Sequence, residues 1–202
     1  MSVEPGTRPT RRGRPGYDRE TVVRHAVEVF NRRGYDATSM DDVARELGLS
    51  KSTIYHHVPT KEHLLRAALE EGLGALEQLL DTAEDRAGGA GERLRWTVGR
   101  SVEVLAAHLP AVRLVLRVRG NSDAEQEALE RRRGIDARLT RLVAAAVAEG
   151  SVRADVAPEV ASRLVFGMVN SLTEWYDPAG GTDPAAMGRI VADAAWEGLA
   201  ER

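Results

Sequence analysis

The chain has 202 residues, 43% hydrophobic and 29% charged, with a net charge of −3. This balance fits a small head on a larger body and excludes a generally basic protein that coats nucleic acid. With no cysteine there is no disulfide framework or thiolate metal site. With neither an apolar leader nor a run near the roughly 18 residues of a spanning helix, the expectation is a cytoplasmic protein with no membrane partner.

Residues 1–16 carry Arg8, Arg11, Arg12 and Arg14 among prolines and glycines, a composition that buries no core and predicts a disordered basic arm. A first helix is expected from the N-cap Asp18 to Gly34, with Val22, Val23, Ala26, Val27 and Phe30 at helical spacing. Ser39 caps a second, whose first turn holds Asp41 and Asp42 and which Gly48 ends. Ser50 caps a short third helix to about His57, and Pro59 blocks its continuation. A fourth starts near Lys61 and runs past Leu80. After the loop Gly88-Gly89-Ala90-Gly91 come five more, at Glu92–His108, Pro110–Arg119, Asp123–Glu149, Pro158–Tyr176 and Pro184–Ala200. No alternating strand pattern and no internal repeat occurs, so the expected fold is all-α, with about nine helices. Charge divides along the same line. Residues 1–66 hold 12 Lys+Arg against 9 Asp+Glu, and 67–202 hold 16 against 22, so the front is positive and the back negative.

Met40 to Val58 is the informative stretch. Ala44 is small where the next helix crosses, and Gly48 supplies a turn that calls for positive φ. Val43, Leu47, Leu49 and Ile54 fall where the helices face one another. With Ile54 inward, Lys51, Ser52, Tyr55 and His56 point outward, all hydrogen-bonding side chains suited to phosphates and base edges in a major groove. His56 and His57 are adjacent, so they point about 100° apart and do not chelate together; no metal and no cofactor is expected.

Together with the flanks Gly34-Tyr35-Asp36-Ala37-Thr38-Ser39-Met40 and Pro59-Thr60-Lys61-Glu62, this stretch closely resembles the head of the TetR family of bacterial repressors, across about residues 18–65. The resemblance implies that Thr38 and Ser39 hydrogen-bond backbone phosphate. It places Lys51, Ser52 and Thr53 at the start of the recognition helix, Tyr55 and His56 against phosphate or thymine methyls, and Lys61 as a phosphate clamp. Val58 departs from the phenylalanine many members carry but keeps an apolar position. Arg12-Gly13-Arg14-Pro15 resembles the core of an AT-hook, which would lie in a narrow minor groove; a solvated tail is the other reading. The implied organisation is a basic arm at 1–16, a helix-turn-helix DNA-binding domain at 17–62, and a ligand-binding and dimerisation domain at 63–202.

A two-fold operator needs a two-fold protein. One stripe of the last two helices runs Val160, Leu164, Gly167, Met168, Ser171, Leu172 and Trp175; the other runs Met187, Ile190, Val191, Ala194, Ala195 and Gly198. They fit a four-helix homodimer interface, or else the monomer core. Candidate cavity-lining residues are Trp96, Leu105, Leu116, Phe166 and Asn170, the last a buried amide in need of partners. Arg113, Arg117, Arg119 and Arg131-Arg132-Arg133 form either a solvated face, with Glu127 and Arg131 paired at i, i+4, or a rim for an anionic effector. Arg119-Gly120-Asn121-Ser122-Asp123 and the segment 169–176 look like actinobacterial TetR regulators of lipid or aromatic-acid breakdown, several of which respond to acyl-CoA.

The function these features predict is a repressor on a pseudo-palindromic operator, released by a small-molecule effector, with an acyl-CoA or a hydrophobic acid as a fitting class. A drug-efflux regulator responding to hydrophobic drugs, and an effector-independent DNA-binding protein, are the alternatives. An enzyme is not expected, since the chain has no Cys, G-x-S-x-G, P-loop or H-E-x-x-H. Of its five histidines, four (His25, His56, His57 and His63) lie in the head or its connector, and only His108 lies in the body.

Overall fold

The computed structural model describes residues 18–200, and among the described residues the chain forms nine α-helices and no strand. In the head, α1 (Arg19–Arg33) opens on Asp18, whose carboxylate accepts from the Thr21 amide at 2.8 Å. The Thr21 hydroxyl, together with that amide, holds the Asp18 carboxyl below its ordinary pKa. A reciprocal capping box between Ser39 and Asp42 starts α2 (Met40–Leu47). Gly48, at φ 62°, ends it in the left-handed region. The Ser50 hydroxyl caps α3 (Lys51–His57), and Thr60 caps α4 (Lys61–Asp85), the long helix that leaves the head.

The body holds α5 (Ala90–Ala107), α6 (Leu109–Arg117), α7 (Asp123–Ala148), α8 (Pro158–Trp175) and α9 (Pro184–Leu199). An isolated backbone pairing joins Val152 to Ala200 and fastens the end of α9. The start of α5 differs from the sequence reading, because Ala90 and Gly91 are helical rather than loop. Gly89 offers no capping side chain, and Glu149, at the end of α7, accepts from the Ala90 and Gly91 amides instead. A cap 59 residues distant leaves no local signal.

Two apolar clusters form the interior. One runs from the head (Phe30, Ile54) through Leu64, Leu65 and Leu73 of α4 to Val115 of α6 and Ile135 and Leu139 of α7. The other joins α5, α8 and α9 around Leu94, Leu105, Val165 and Leu172. Phe166 packs against both. Along the outer seam, α4 and α7 are laced by ion pairs. Arg131 is clamped between Glu70 (2.6 Å) and Glu77 (2.7 Å), and Arg138 between Asp81 and Glu84 (2.8 Å each). The expected Glu127–Arg131 pair along α7 does not form. Glu127 instead reaches Arg66 of α4 at 2.6 Å, since fixed partners on the facing helix outcompete a solvated neighbour.

Helices α5 and α9 approach closely at Gly99 and Gly188. A Cβ on Gly188 would lie 2.5 Å from the Gly99 carbonyl oxygen, a backbone atom that cannot swing aside. Gly188→Ala is therefore expected to destabilise the fold by about 1–3 kcal/mol as α9 is pushed off α5, a loss read directly in urea unfolding. The neighbouring substitution Gly198→Ala, where a Cβ meets nothing within 4 Å, is expected to be neutral or slightly stabilising. Equal stability of the two variants would show that the crossing is looser than it looks.

Candidate functional site

The outward face of α3 carries a polar constellation over an apolar anchor. Ile54 is fully buried beneath it, and Val58 fills the adjoining core position. Lys51, Ser52, Tyr55 and His56 are exposed, Tyr55 at 42%. Lys51 pairs with Asp41 of α2 at 2.8 Å, which raises its pKa and holds the ammonium beside the mouth of the α2–α3 turn. Ser39 is exposed at the start of α2, but its hydroxyl is donated to Asp42 within the capping box. The shape and chemistry of the exposed α3 face suit the edge of a nucleic-acid groove.

Three residues of the sequence-derived set sit differently. Thr38 is 2% exposed and donates its hydroxyl to the Gly34 carbonyl at 2.7 Å, so that hydroxyl braces the α1–α2 turn and does not face a phosphate. The half-buried Thr53 shares its hydroxyl with Ser50 at 2.7 Å and belongs to the α3 cap. Lys61 donates to the Tyr35 carbonyl at 3.0 Å and lies 4.2 Å from the Tyr35 ring centroid, so its charge is committed to the head's own core edge. The Thr38 and Thr53 contacts are local, within a turn and a helix cap, whereas the Lys61 contact reaches 26 residues back along the chain and is not encoded by residue spacing. Arg12 and Arg14 lie outside the described residues.

A second feature lies where the two apolar clusters meet. A cavity of about 70 Å³ is lined by α4 (Leu76, Leu79, Leu80), α5 (Ser101, Leu105), α6 (Val112, Val115, Leu116), α7 (Arg132, Ile135, Asp136, Leu139) and α8 (Phe166, Val169, Asn170). Leu105, Leu116, Phe166 and Asn170 of the sequence-derived set all line it. Asn170 is exposed at the rim rather than buried, however, so its amide does not need an internal partner. Trp96 lies elsewhere. It is two residues from both Leu94 and Val98, which turns it roughly 200° from the core face. It packs on the outside of α5 under the Arg86 guanidinium, 4.9 Å from its ring centroid. The contributions of α4 and α7 were not foreseen; the spacing of Arg132, Ile135, Asp136 and Leu139 was the available signal.

The cavity and the head share structural members. α4 runs from one to the other, and α6 is tied to the end of α1. Asn31 donates to the Pro110 carbonyl at 2.8 Å, and Arg117 donates to the Asn31 carbonyl at 2.8 Å. Asn121 reaches Asp36 at 3.1 Å from a loop whose Gly120 and Asn121 amides are held by the buried Glu125 carboxylate. The face of α8 and α9 turned away from the cavity exposes Val160, Leu164, Met168, Trp175 and Ile190. Leu172, Met187, Val191 and Ala195, read from sequence as part of the same stripes, are instead buried in the protomer, mostly because α9 lies on α5.

A helix-turn-helix head joined by two helices to a body with an internal cavity defines the class of helix-turn-helix transcriptional regulators. Within that class the chain belongs to the TetR family, whose members are regulators rather than enzymes, bind DNA and dimerise. Residues 22–68 match the family profile described as bacterial regulatory proteins, tetR family, and residues 87–199 match the tetracyclin repressor-like C-terminal domain. The chain is 52% identical to SCO3833, a TetR-family regulator from Streptomyces coelicolor A3, with 88% of each chain covered and a TM-score of 0.80. It is 26% identical to the HTH-type transcriptional repressor KstR2 of Mycolicibacterium smegmatis, over 87% of each. It also shares the fold of AibR, crystallised with isovaleryl coenzyme A and operator DNA, at 24% identity and a TM-score of 0.73, covering 90% of this chain and 97% of that one. Among the described residues no helix is long and apolar enough to cross a membrane.

Proposed function

We propose that the chain is a homodimeric repressor. Its head, residues 17–62, holds one half of a pseudo-palindromic operator, and its body, residues 63–202, releases that grip when a hydrophobic effector enters the cavity. The effector class that fits is an acyl-CoA or a hydrophobic acid. The observation that carries this reading is the cavity's position: both helices that run to the head, α4 and α6, form its walls. AibR, with its acyl-CoA and operator, supports a small acyl effector.

The cavity's size supplies the mechanism. About 70 Å³ is far below the roughly 300 Å³ at which pockets for small molecules begin, so the closed form has no room for such an effector. Entry requires the two apolar clusters to part, displacing α4, α6 or α7. A ligand that fits only the expanded form has differential affinity for the two states, which is what a shift in their populations requires. In this reading the closed form sets the spacing of the heads to successive major grooves, about 34 Å apart, and the expanded form spoils it.

The test is a duplex selected from a random library by the full chain, followed by release assays with acyl-CoAs, hydrophobic acids and neutral hydrophobic drugs. Release at micromolar concentration, accompanied by a rise in melting temperature, is the expected result for the first two classes. Thermal stabilisation without release would defeat the effector model, and release by neutral drugs alone would favour an efflux regulator.

A further inference from the structure

Six arginines were candidates for meeting an anionic effector, and their environments differ. Arg131 is clamped by Glu70 and Glu77. Arg113 donates to the Thr173 carbonyl at 2.6 Å and Arg117 to the Asn31 carbonyl. Arg119 lies in the open groove between head and body, and Arg133 is exposed. Arg132 alone among the six lines the interior cavity. Its side chain is half-buried, and its hydrogen bond is a long one, 3.3 Å, to the carbonyl of Val115. No carboxylate among the described residues stands within ion-pair distance of it, Asp136 included, although Asp136 lies one turn on and lines the same cavity.

A guanidinium turned into an apolar chamber and held only by a carbonyl lacks the anionic partner that would offset its burial. The carbonyl it holds is also significant. Val115 is in the last turn of α6, where helix carbonyls have no partner of their own. Arg132 therefore joins α7 to the end of α6 that Arg117 fastens to the head.

We propose that Arg132 is the effector's anchor and that the effector carries a carboxylate on a compact apolar body. This rests on the effector-responsive reading above and narrows it. The carboxylate accepts two hydrogen bonds from the guanidinium fork, and the Val115 carbonyl loses its donor. The hydrocarbon lies against Leu105, Leu116, Ile135 and Phe166. The tie between α7 and α6 is thus exchanged for a tie between α7 and the ligand, and α6 is freed at the end that carries the head. The same guanidinium could meet a phosphate of coenzyme A, and the test separates the two anions.

The experiment titrates the full-length protein with straight, branched and aromatic carboxylic acids of four to twelve carbons, each beside its primary amide and its coenzyme A thioester. Melting temperature and release of the selected duplex are both read. At least one acid is expected to raise the melting temperature by several degrees and release DNA, with its amide at least tenfold weaker. Arg132→Met, which cannot donate to the Val115 carbonyl, is expected to fold, to bind DNA more weakly than the parent because α6 has lost its tie to α7, and to lose at least tenfold in the melting-temperature response to that acid; Arg132→Lys, which can still donate to that carbonyl, is expected to keep DNA binding and recover part of the response. The proposal is overturned if acids and amides act equally, if Arg132→Met responds like the parent, or if only thioesters act. In each of these cases an effector-responsive repressor still stands. If no compound in any arm binds, both readings fall together.

Discussion

Replacing Lys51 and Tyr55 together by alanine is expected to weaken operator binding by about 2–6 kcal/mol, thirty-fold at the least, while leaving the melting temperature within a degree or two. The range follows from 1–3 kcal/mol for each well-formed base contact. The unchanged stability follows from exposure: neither side chain is part of the core, and Ile54 beneath them is untouched. A fluorescence anisotropy titration at fixed salt reads the affinity, and repeating it over a salt series separates the roles. If Lys51 reads a base edge, the operator should lose more than a random duplex does. If it holds a phosphate, both should lose alike, and the salt slope should fall by about one. Its partner Asp41 gives a control of opposite sign. Asp41→Asn removes a carboxylate from a surface that meets phosphates and frees the Lys51 ammonium, so binding to any duplex should tighten. A folded double variant that held its operator as firmly as the parent would show that α3 is not the reading helix.

The head was legible because its signals are local. Ser39 with Asp42, Gly48 at positive φ, Ser50 before Lys51, and Pro59 before Thr60 each act within three or four residues, the range over which caps and turns are set. What the spacing could not show was which polar side chains the backbone around them had already claimed. Thr38 and Ser39 are adjacent and chemically alike, yet one hydroxyl is buried against the Gly34 carbonyl and the other, on an exposed residue, is donated to Asp42 in the α2 cap. In the body the same limit is wider. Helices packed on several sides have apolar residues all round, so periodicity finds the helix without naming its partner. Trp96 faces outward under Arg86, and Arg131 reaches across to α4 rather than along α7. The cavity had no sequence signature of its own, because it is a gap between two well-packed groups of ordinary leucines, valines and isoleucines.

Leu164→Glu is expected to convert the protein from dimer to monomer and, through that, to weaken operator binding by two orders of magnitude or more. Among the described residues six large hydrophobics are exposed. One is Tyr55 on α3, and the other five lie together on α8 and α9. Scattered apolar residues on a surface are ordinary, but five gathered on one two-helix face mark a contact surface. Leu164, 63% exposed, sits one turn from both Val160 and Met168. Burial of one such side chain is worth about 1.5–3 kcal/mol. A two-fold interface presents it twice, so the substitution removes both contributions and sets two carboxylates in their place. The consequence for DNA is a matter of linkage. In a dimer the second head binds at the high effective concentration set by the first, a gain of about 10²–10⁴ that a monomer forfeits without losing any contact of its own. Light scattering should therefore give the 22.0 kDa chain mass rather than twice that value. Circular dichroism should be unchanged, because Leu164 supports nothing inside the protomer. A variant that kept the doubled mass and the parent's operator affinity would place the dimer contact on another face.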